Sequence, residues 1–225
     1  MTAYELYITN KNYTTWALRP WLLMRECGIE FRERLVPFGA ASFRAFSPTG
    51  RVPALHDGDV VVWDSLAIVE YLAERHAGVW PDDPIARAWA RSAAAEMHSG
   101  FTTLRSRCSN SCGVRVKLRD FPAALAADVA RIAELWSEGL EKFGGPFLAG
   151  RDFTAVDAFY APVAFRAQTY ALPFTGAAAE YAAHLLALSA MREWYAAGLA
   201  ETERDPAHEA DIAATGTIIE DLRAR

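Results

Sequence analysis

The pattern of apolar residues changes its period once along this 225-residue chain, and that change decides what the chain can fold into. Up to about residue 78, short runs alternate between two-residue and helical spacing, the signature of a small α/β unit. Residues 4–8 read as a strand, followed by a polar loop, Thr9-Asn10-Lys11-Asn12-Tyr13. Trp16, Leu18, Trp21, Leu22 and Met24 then mark a helix that Gly28 stops, with Pro20 tolerable only near its start. Residues 31–36 and 52–55 are further strands, with a short helix expected at 41–46 between them. A turn at His56-Asp57-Gly58-Asp59 leads into Val60-Val61-Val62-Trp63, so the last two strands form a hairpin, and Asp64-Ser65 opens a helix to about His76. Residues 78–84 hold two prolines, a glycine and two acids, the composition of a linker. Beyond them the spacing is helical throughout, as at 85–103 and 123–143. The reading is an α/β domain over 1–78, a linker over 79–84 and an all-α domain over 85–225.

Composition removes several function classes. With 52% hydrophobic and 23% charged residues the chain is a folded one. A net charge of −5 and the lack of a basic run argue against nucleic-acid binding. The start, Met1-Thr2-Ala3-Tyr4-Glu5, lacks a leader pattern, and no run approaches the roughly 18 to 20 apolar residues of a membrane span. Three cysteines, an odd number, fit a reducing cytoplasm. Cys108 and Cys112 have the i, i+4 spacing of a metal half-site, but no second Cys/His pair lies nearby in sequence and the five histidines are scattered; no metal is expected.

The order strand, helix, strand, short helix, strand, strand, helix, then helices only, resembles a cytosolic glutathione S-transferase over essentially the whole chain. Gly50-Arg51-Val52-Pro53-Ala54-Leu55, followed by Asp64-Ser65-Leu66-Ala67-Ile68, is similar to that family's glutathione-binding signature. Phe153-Thr154-Ala155-Val156-Asp157-Ala158 is similar to the capping box of its buried helix. The resemblance implies a thioredoxin-like first domain with a mixed four-stranded sheet, a helical second domain, glutathione as cosubstrate and a homodimer. In the family a cis proline turns the preceding backbone outward, so Val52 would pair with the cysteinyl backbone of glutathione as an added strand. Asp64 and Ser65 would receive the γ-glutamyl carboxylate at a helix N-terminus. Arg51 stands where it could meet the glycyl carboxylate. Read without the resemblance, Val52-Pro53 is an ordinary strand entry, Ser65 an N-cap and Arg51 a solvated surface charge.

Asn12-Tyr13-Thr14-Thr15-Trp16 lines up with the serine motif of zeta-like and theta-like transferases of the bacterial, serine/threonine type, and Thr14 falls on the catalytic serine. Trp16 falls where other branches carry a cysteine, which disfavours thiol–disulfide reductase chemistry. Lowering a thiol pKa by about two units from roughly 8.5 takes about 2.7 kcal/mol of selective stabilisation. One hydroxyl hydrogen bond to the thiolate supplies about 1.5–3 kcal/mol and a helix N-terminus up to about 1 kcal/mol. Thr15 is the nearest substitute, Tyr7 a phenolic rival, and a plain N-cap role for either threonine the alternative without chemistry. His98, Phe101, Thr102, Arg105, Cys108 and Cys112 recur at helical steps; with Trp16, the expected second-substrate pocket comprises His98, Phe101, Arg105 and Cys108. That mixed face suits an electrophile with a carboxylate. The expected activity is attack of glutathione thiolate on an electrophilic small molecule; the alternatives are cis–trans isomerisation of the maleylacetoacetate type and a non-catalytic binding or scaffold role.

Overall fold

The computed structural model describes residues 4–39 and 42–224; Met1, Thr2 and Ala3 of the leader reading and Ala41 of the expected short helix lie outside the described residues. Strand β1 (Tyr4–Ile8) buries Leu6 and Ile8 completely. It lies inside a mixed four-stranded sheet of order β2-β1-β3-β4. It runs parallel to β2 (Phe31–Leu35), which it reaches through helix α1 (Leu18–Glu26), and antiparallel to β3 (Ala54–Asp57), with Leu6 opposite Leu55. β4 (Val60–Trp63) returns beside β3 after the Gly58-Asp59 turn, where Gly58 has φ 59°. A single 3₁₀ turn, Phe43–Ala45, stands in the segment between β2 and β3. Helix α2 (Ser65–Ala73) packs back on β3, β4 and α1.

The helical domain starts at α3 (Pro84–Ser99), where Asp83 caps the Ala86 N–H at 2.7 Å and Pro84 occupies the first turn, whose amide would have no helical partner. It continues through α5 (Ala123–Phe143), α6 (Ala155–Tyr170), α7 (Gly176–Ala187), α8 (Ser189–Ala200) and α9 (Pro206–Thr215). Nearly every residue of α6 is buried, because its sequence is apolar around most of its circumference and it packs on α1, α3 and α7 together. Its expected capping box is present: the Thr154 and Asp157 side chains satisfy each other's backbone N–H groups. Because α6 touches α1, it also joins the two domains.

Two expectations are corrected. The helix read as continuing through residue 103 and onward to Cys112 ends at Ser99: a Cβ on Gly100 would sit 2.7 Å from the Glu96 carbonyl oxygen, and Phe101 adopts a left-handed φ of 52°. The chain then turns into a short separate helix, α4 (Thr102–Arg107). The second half is also not purely helical. β5 (Val114–Leu118) pairs antiparallel with β6 (Gly216–Asp221) in a two-stranded ribbon with a bulge at Arg115/Val116.

Candidate active site

Of the residues between β1 and α1, Thr9 to Thr15 are all buried, although every one of them except Tyr13 is polar or charged. Such a loop is stable only if its polar groups are paired, and the partners come from remote parts of the chain. Glu201 accepts the N–H groups of Lys11 and Asn12 at 2.6 and 3.1 Å, and Trp194 donates its indole N–H to the Lys11 carbonyl at 2.9 Å. The Asn12 side-chain oxygen accepts from Gly113 N–H at 3.0 Å and Ser111 hydroxyl at 3.2 Å, while its carbonyl accepts from Cys112 N–H. The helical domain thus fixes the loop, and the loop presents Thr14.

Thr14 N–H donates to the Asn10 carbonyl at 3.0 Å. The N-cap of α1 is Ala17, so neither Thr14 nor Thr15 caps that helix. Among the described residues neither threonine hydroxyl has a hydrogen-bond partner, and both side chains line a cavity of about 670 Å³ between the domains. Either hydroxyl is free to donate to an anion there. Tyr7 stands elsewhere: its ring stacks on Phe46 at 4.5 Å and its hydroxyl faces Glu5 at 3.5 Å. Tyr13 lines the cavity, but its hydroxyl is committed to Glu209 at 2.8 Å; burial, then that carboxylate, push its pKa well up.

A second cavity, of about 260 Å³, adjoins the first: Trp16, Arg51 and Val52 line both. Pro53, Asp64 and Ser65 complete its wall, and the Val52–Pro53 peptide is cis. The five residues expected to hold glutathione, Arg51, Val52, Pro53, Asp64 and Ser65, therefore come together. Asp64 has φ 74° and ψ 136°, a conformation that costs an aspartate about 1–3 kcal/mol and persists only where surrounding contacts impose it. Its carboxylate caps α2 by accepting from Leu66 N–H at 2.8 Å, so the N-cap is Asp64 and Ser65 is the first helical residue. The helix N-terminus and the Ser65 hydroxyl are what a carboxylate ligand would meet.

Behind Ser65 lies Arg19, wholly buried, with its guanidinium 4.3 Å from the Trp16 ring centroid and 4.7 Å from that of Phe159. It donates to Ser65 Oγ and to His98 Nδ1, each at 3.5 Å, and its Nε has no partner. Burial, with Arg166 and Arg105 as neighbouring cations, pulls Arg19 down to about 9, still charged at neutral pH. No carboxylate is paired with it among the described residues.

The expected second-substrate residues separate. Trp16 and Arg105 line the larger cavity. His98 does not; its ring lies 5.3 Å from that of Trp16, and its Nε2 is 3.5 Å from Asp64, which makes it a brace of the smaller cavity. Phe101 packs into the core, because its left-handed backbone turns it away from the line that a continuous helix would have given. Cys108 is fully buried, and burial pushes its thiol up to about 11 and that of Cys112 to about 12, so neither is a ready thiolate. Among the residues the sequence reading missed are Arg166, Asn110 and His208, which line the larger cavity, and Arg19, which stands behind the smaller one. Arg19 and Arg166 carried a signal, a charge inside an otherwise apolar helical run; Asn110 and His208 reach the cavity from positions that no local pattern marks.

A thioredoxin-like α/β domain, with a proline loop and a helix N-terminus around one cavity and a helical domain closing a second, is the fold of solved glutathione transferases. The family described as "Glutathione S-transferase, N-terminal domain" matches residues 13–75. Residues 13–75 thus carry that family's N-terminal domain. A stringent starvation protein A homolog of Pasteurella multocida is 25% identical over 162 residues, 69% of this chain and 72% of its own. A probable maleylacetoacetate isomerase of Caenorhabditis elegans is 26% identical over 178 residues, 74% of this chain and 80% of its own. A glutathione transferase homolog from Burkholderia, solved with bound glutathione, superposes with a TM-score of 0.67 at 22% identity, covering 88% of this chain and 98% of that one, which shows the shared fold.

Proposed function

We propose that this protein is a glutathione transferase of the serine/threonine type, with Thr14 as thiolate donor and glutathione in the smaller cavity. The observation that carries this reading is the continuity of the two cavities through Trp16, Arg51 and Val52, with the unpartnered Thr14 and Thr15 hydroxyls at the larger one. The γ-glutamyl carboxylate meets Ser65 and the N-terminus of α2, the cysteinyl backbone meets Val52, and Arg51, exposed and unpaired among the described residues, meets the glycyl carboxylate. The sulfur then faces Thr14. One hydrogen bond from a hydroxyl to a thiolate is worth about 1.5–3 kcal/mol, enough to carry most of the two-unit pKa shift that makes thiolate the main species at neutral pH. The thiolate attacks an electrophilic carbon in the larger cavity and the carbon's bonding pair moves to the leaving group or to a conjugated acceptor.

The isomerase reading uses the same residues and is supported by the C. elegans relative; there the thiolate adds to a double bond, the adduct rotates, and elimination returns glutathione. Net consumption of glutathione separates the two. A scaffold role, the third reading, requires no thiolate, so glutathione bound with an unshifted thiol would favour it. Two further features accompany the transferase reading. Val60 and Trp63 on β4 are exposed beside a groove with Leu66 and Ala67, which suits a homodimer contact. No helix among the described residues is long and apolar enough to cross a membrane, and the three cysteines are free, which agrees with a cytoplasmic location.

The test is calorimetry of glutathione binding combined with a pH titration of the ultraviolet thiolate band, on the native protein and Thr14→Ala. Binding with a depressed thiol pKa that Thr14→Ala returns toward its free value is expected. Binding with an unshifted thiol would overturn the catalytic reading, and a shift indifferent to Thr14 but lost in Thr15→Ala would move the donor.

A further inference from the structure

Helix α6 brings to the larger cavity a charge that no carboxylate pairs with among the described residues. Arg166 is 5% exposed, and its Nε donates to the Cys108 carbonyl at 2.8 Å. A guanidinium has five N–H donors in a planar fork. Among the described residues this is the only hydrogen bond Arg166 makes; Nη1 and Nη2 have no partner, and the side chain lines the cavity. Holding a carbonyl would need one N–H, which a neutral amide supplies without the cost of burying a charge.

Arg105 reaches the same cavity from α4. Its terminal amines donate to the carbonyls of His98 at 3.0 Å and Ser99 at 3.5 Å, and among the described residues it too meets no carboxylate. Arg19 stands behind both, and after burial the charges of Arg166 and Arg105 lower its pKa. The acids facing this group are few. Asp211 lines the cavity from α9 but is exposed and forms no ion pair with either arginine among the described residues. Asp64 lies on the side of the smaller cavity, engaged with Leu66 N–H and His98. Burial and Arg105 pull Arg166 down to about 10, so it remains a cation at neutral pH, and a bound anion would relieve both penalties.

We propose that Arg166, assisted by Arg105, is an anion subsite for the second substrate, and that the electrophile carries a carboxylate seated on the α6 side of the larger cavity. The planar pair of terminal amines matches the two oxygens of a carboxylate. The proposal rests on the transferase reading of the same cavity and adds to it the chemical class of the electrophile and a residue from the buried helix. It predicts a substrate oriented with its carboxylate at Arg166 and its reactive carbon toward Thr14.

Two measurements on the glutathione-loaded protein test it. Calorimetry compares 4-phenylbutanoate with its amide, which needs no turnover. Initial rates compare 4-oxo-4-phenylbut-2-enoate with its methyl ester, each divided by its uncatalysed rate with glutathione. The native protein is expected to favour the acid by about 10- to 100-fold in both, the range of a charge-assisted hydrogen bond. Arg166→Gln removes most of that preference, Arg166→Lys keeps part of it, and Arg105→Gln gives a smaller loss and covers the case in which Arg166→Gln does not fold. Equal binding of acid and amide by the native protein overturns the subsite, as does a preference that survives both Arg166→Gln and Arg105→Gln. Preferential binding of the acid with no turnover of either electrophile upholds the subsite and overturns the transferase reading; turnover of both without preference does the reverse.

Discussion

His98 Nε2, carried by the helical domain, lies 3.5 Å from the carboxylate of Asp64 at the start of α2. Arg19 donates to the other ring nitrogen, also at 3.5 Å, so the ring is held as the Nε2–H tautomer between a cation and an acid. One half of the proposed glutathione cradle is therefore steadied from the other domain.

That arrangement makes stability depend on pH in a definite direction. Burial lowers the His98 pKa, Arg19 and Arg105 lower it further, and Asp64 opposes them. In the unfolded chain the ring takes a proton near about 6.5. Between that value and the lower folded one the unfolded state binds more protons, so stability falls as pH drops through this window. The melting temperature of the native protein is expected to drop more steeply between about pH 7 and pH 5 than that of His98→Gln, with the two profiles parallel above about pH 7.5. Equal slopes throughout would show that His98 titrates as it does in the unfolded chain.

Thr14 can be separated from its shape. Valine has nearly the volume of threonine and the same branching at Cβ but no hydroxyl. Thr14→Val is expected to lower kcat/KM for glutathione addition about 10- to 100-fold at neutral pH, the worth of one charge-assisted hydrogen bond. Thr14→Ser restores the hydroxyl and should remain within about threefold of the native rate, since only one methyl is lost. Initial rates at saturating electrophile check this; a fully active Thr14→Val removes Thr14 from the chemistry.

Arg19 makes a different prediction, because it is a buried cation with no carboxylate paired to it among the described residues. Replacing a buried charge by an apolar side chain of similar length is often neutral or stabilising by about 1–4 kcal/mol. Against this stands the loss of the stacking on Trp16 and Phe159, about 0.5–2 kcal/mol. Arg19→Met should therefore melt close to the native temperature while glutathione binds about tenfold more weakly, since the positive charge behind Ser65 is gone. Thermal melting and calorimetry on one preparation give both numbers. A collapse in stability with unchanged affinity would make Arg19 a packing residue.

What could be read in the sequence follows from how local each feature is. Arg51, Val52, Pro53, Asp64 and Ser65 lie within fifteen positions of one another, and the hairpin between them fixes their spacing, so the structure places them on one cavity. The larger cavity draws on the β1–α1 loop, α4, α6 and α9, and no window of sequence contains it. The face assigned to His98, Phe101, Arg105 and Cys108 presumed one unbroken helix, and Gly100 with the left-handed Phe101 breaks it. The ribbon did carry a local signal: Val114 and Val116 are buried and alternate with Arg115 and Lys117 at period two. Its partner strand begins about a hundred residues later, and only that pairing makes the short run a strand.

Asp157 tests the scaffold on which Arg166 is mounted. Its carboxylate is completely buried and accepts from Leu148 N–H at 2.9 Å, Thr154 N–H at 2.9 Å and Tyr181 hydroxyl at 2.7 Å. Alanine would strand these three donors and the Thr154 hydroxyl, which reaches the same carboxylate at 3.3 Å, each worth about 1–3 kcal/mol. Asp157→Ala should lower the unfolding free energy by about 3–5 kcal/mol, as removal of one partner from a buried charged network does. Thr154→Ala removes only the hydroxyl half of the capping box and should cost about 1 kcal/mol. Neither residue lines either of the two site cavities, so the folded fraction of each variant should bind glutathione with native affinity. Urea unfolding gives the two losses. If Thr154→Ala proves as damaging as Asp157→Ala, the cap itself, rather than the wider set of bonds reaching Leu148 and Tyr181, fixes the start of α6.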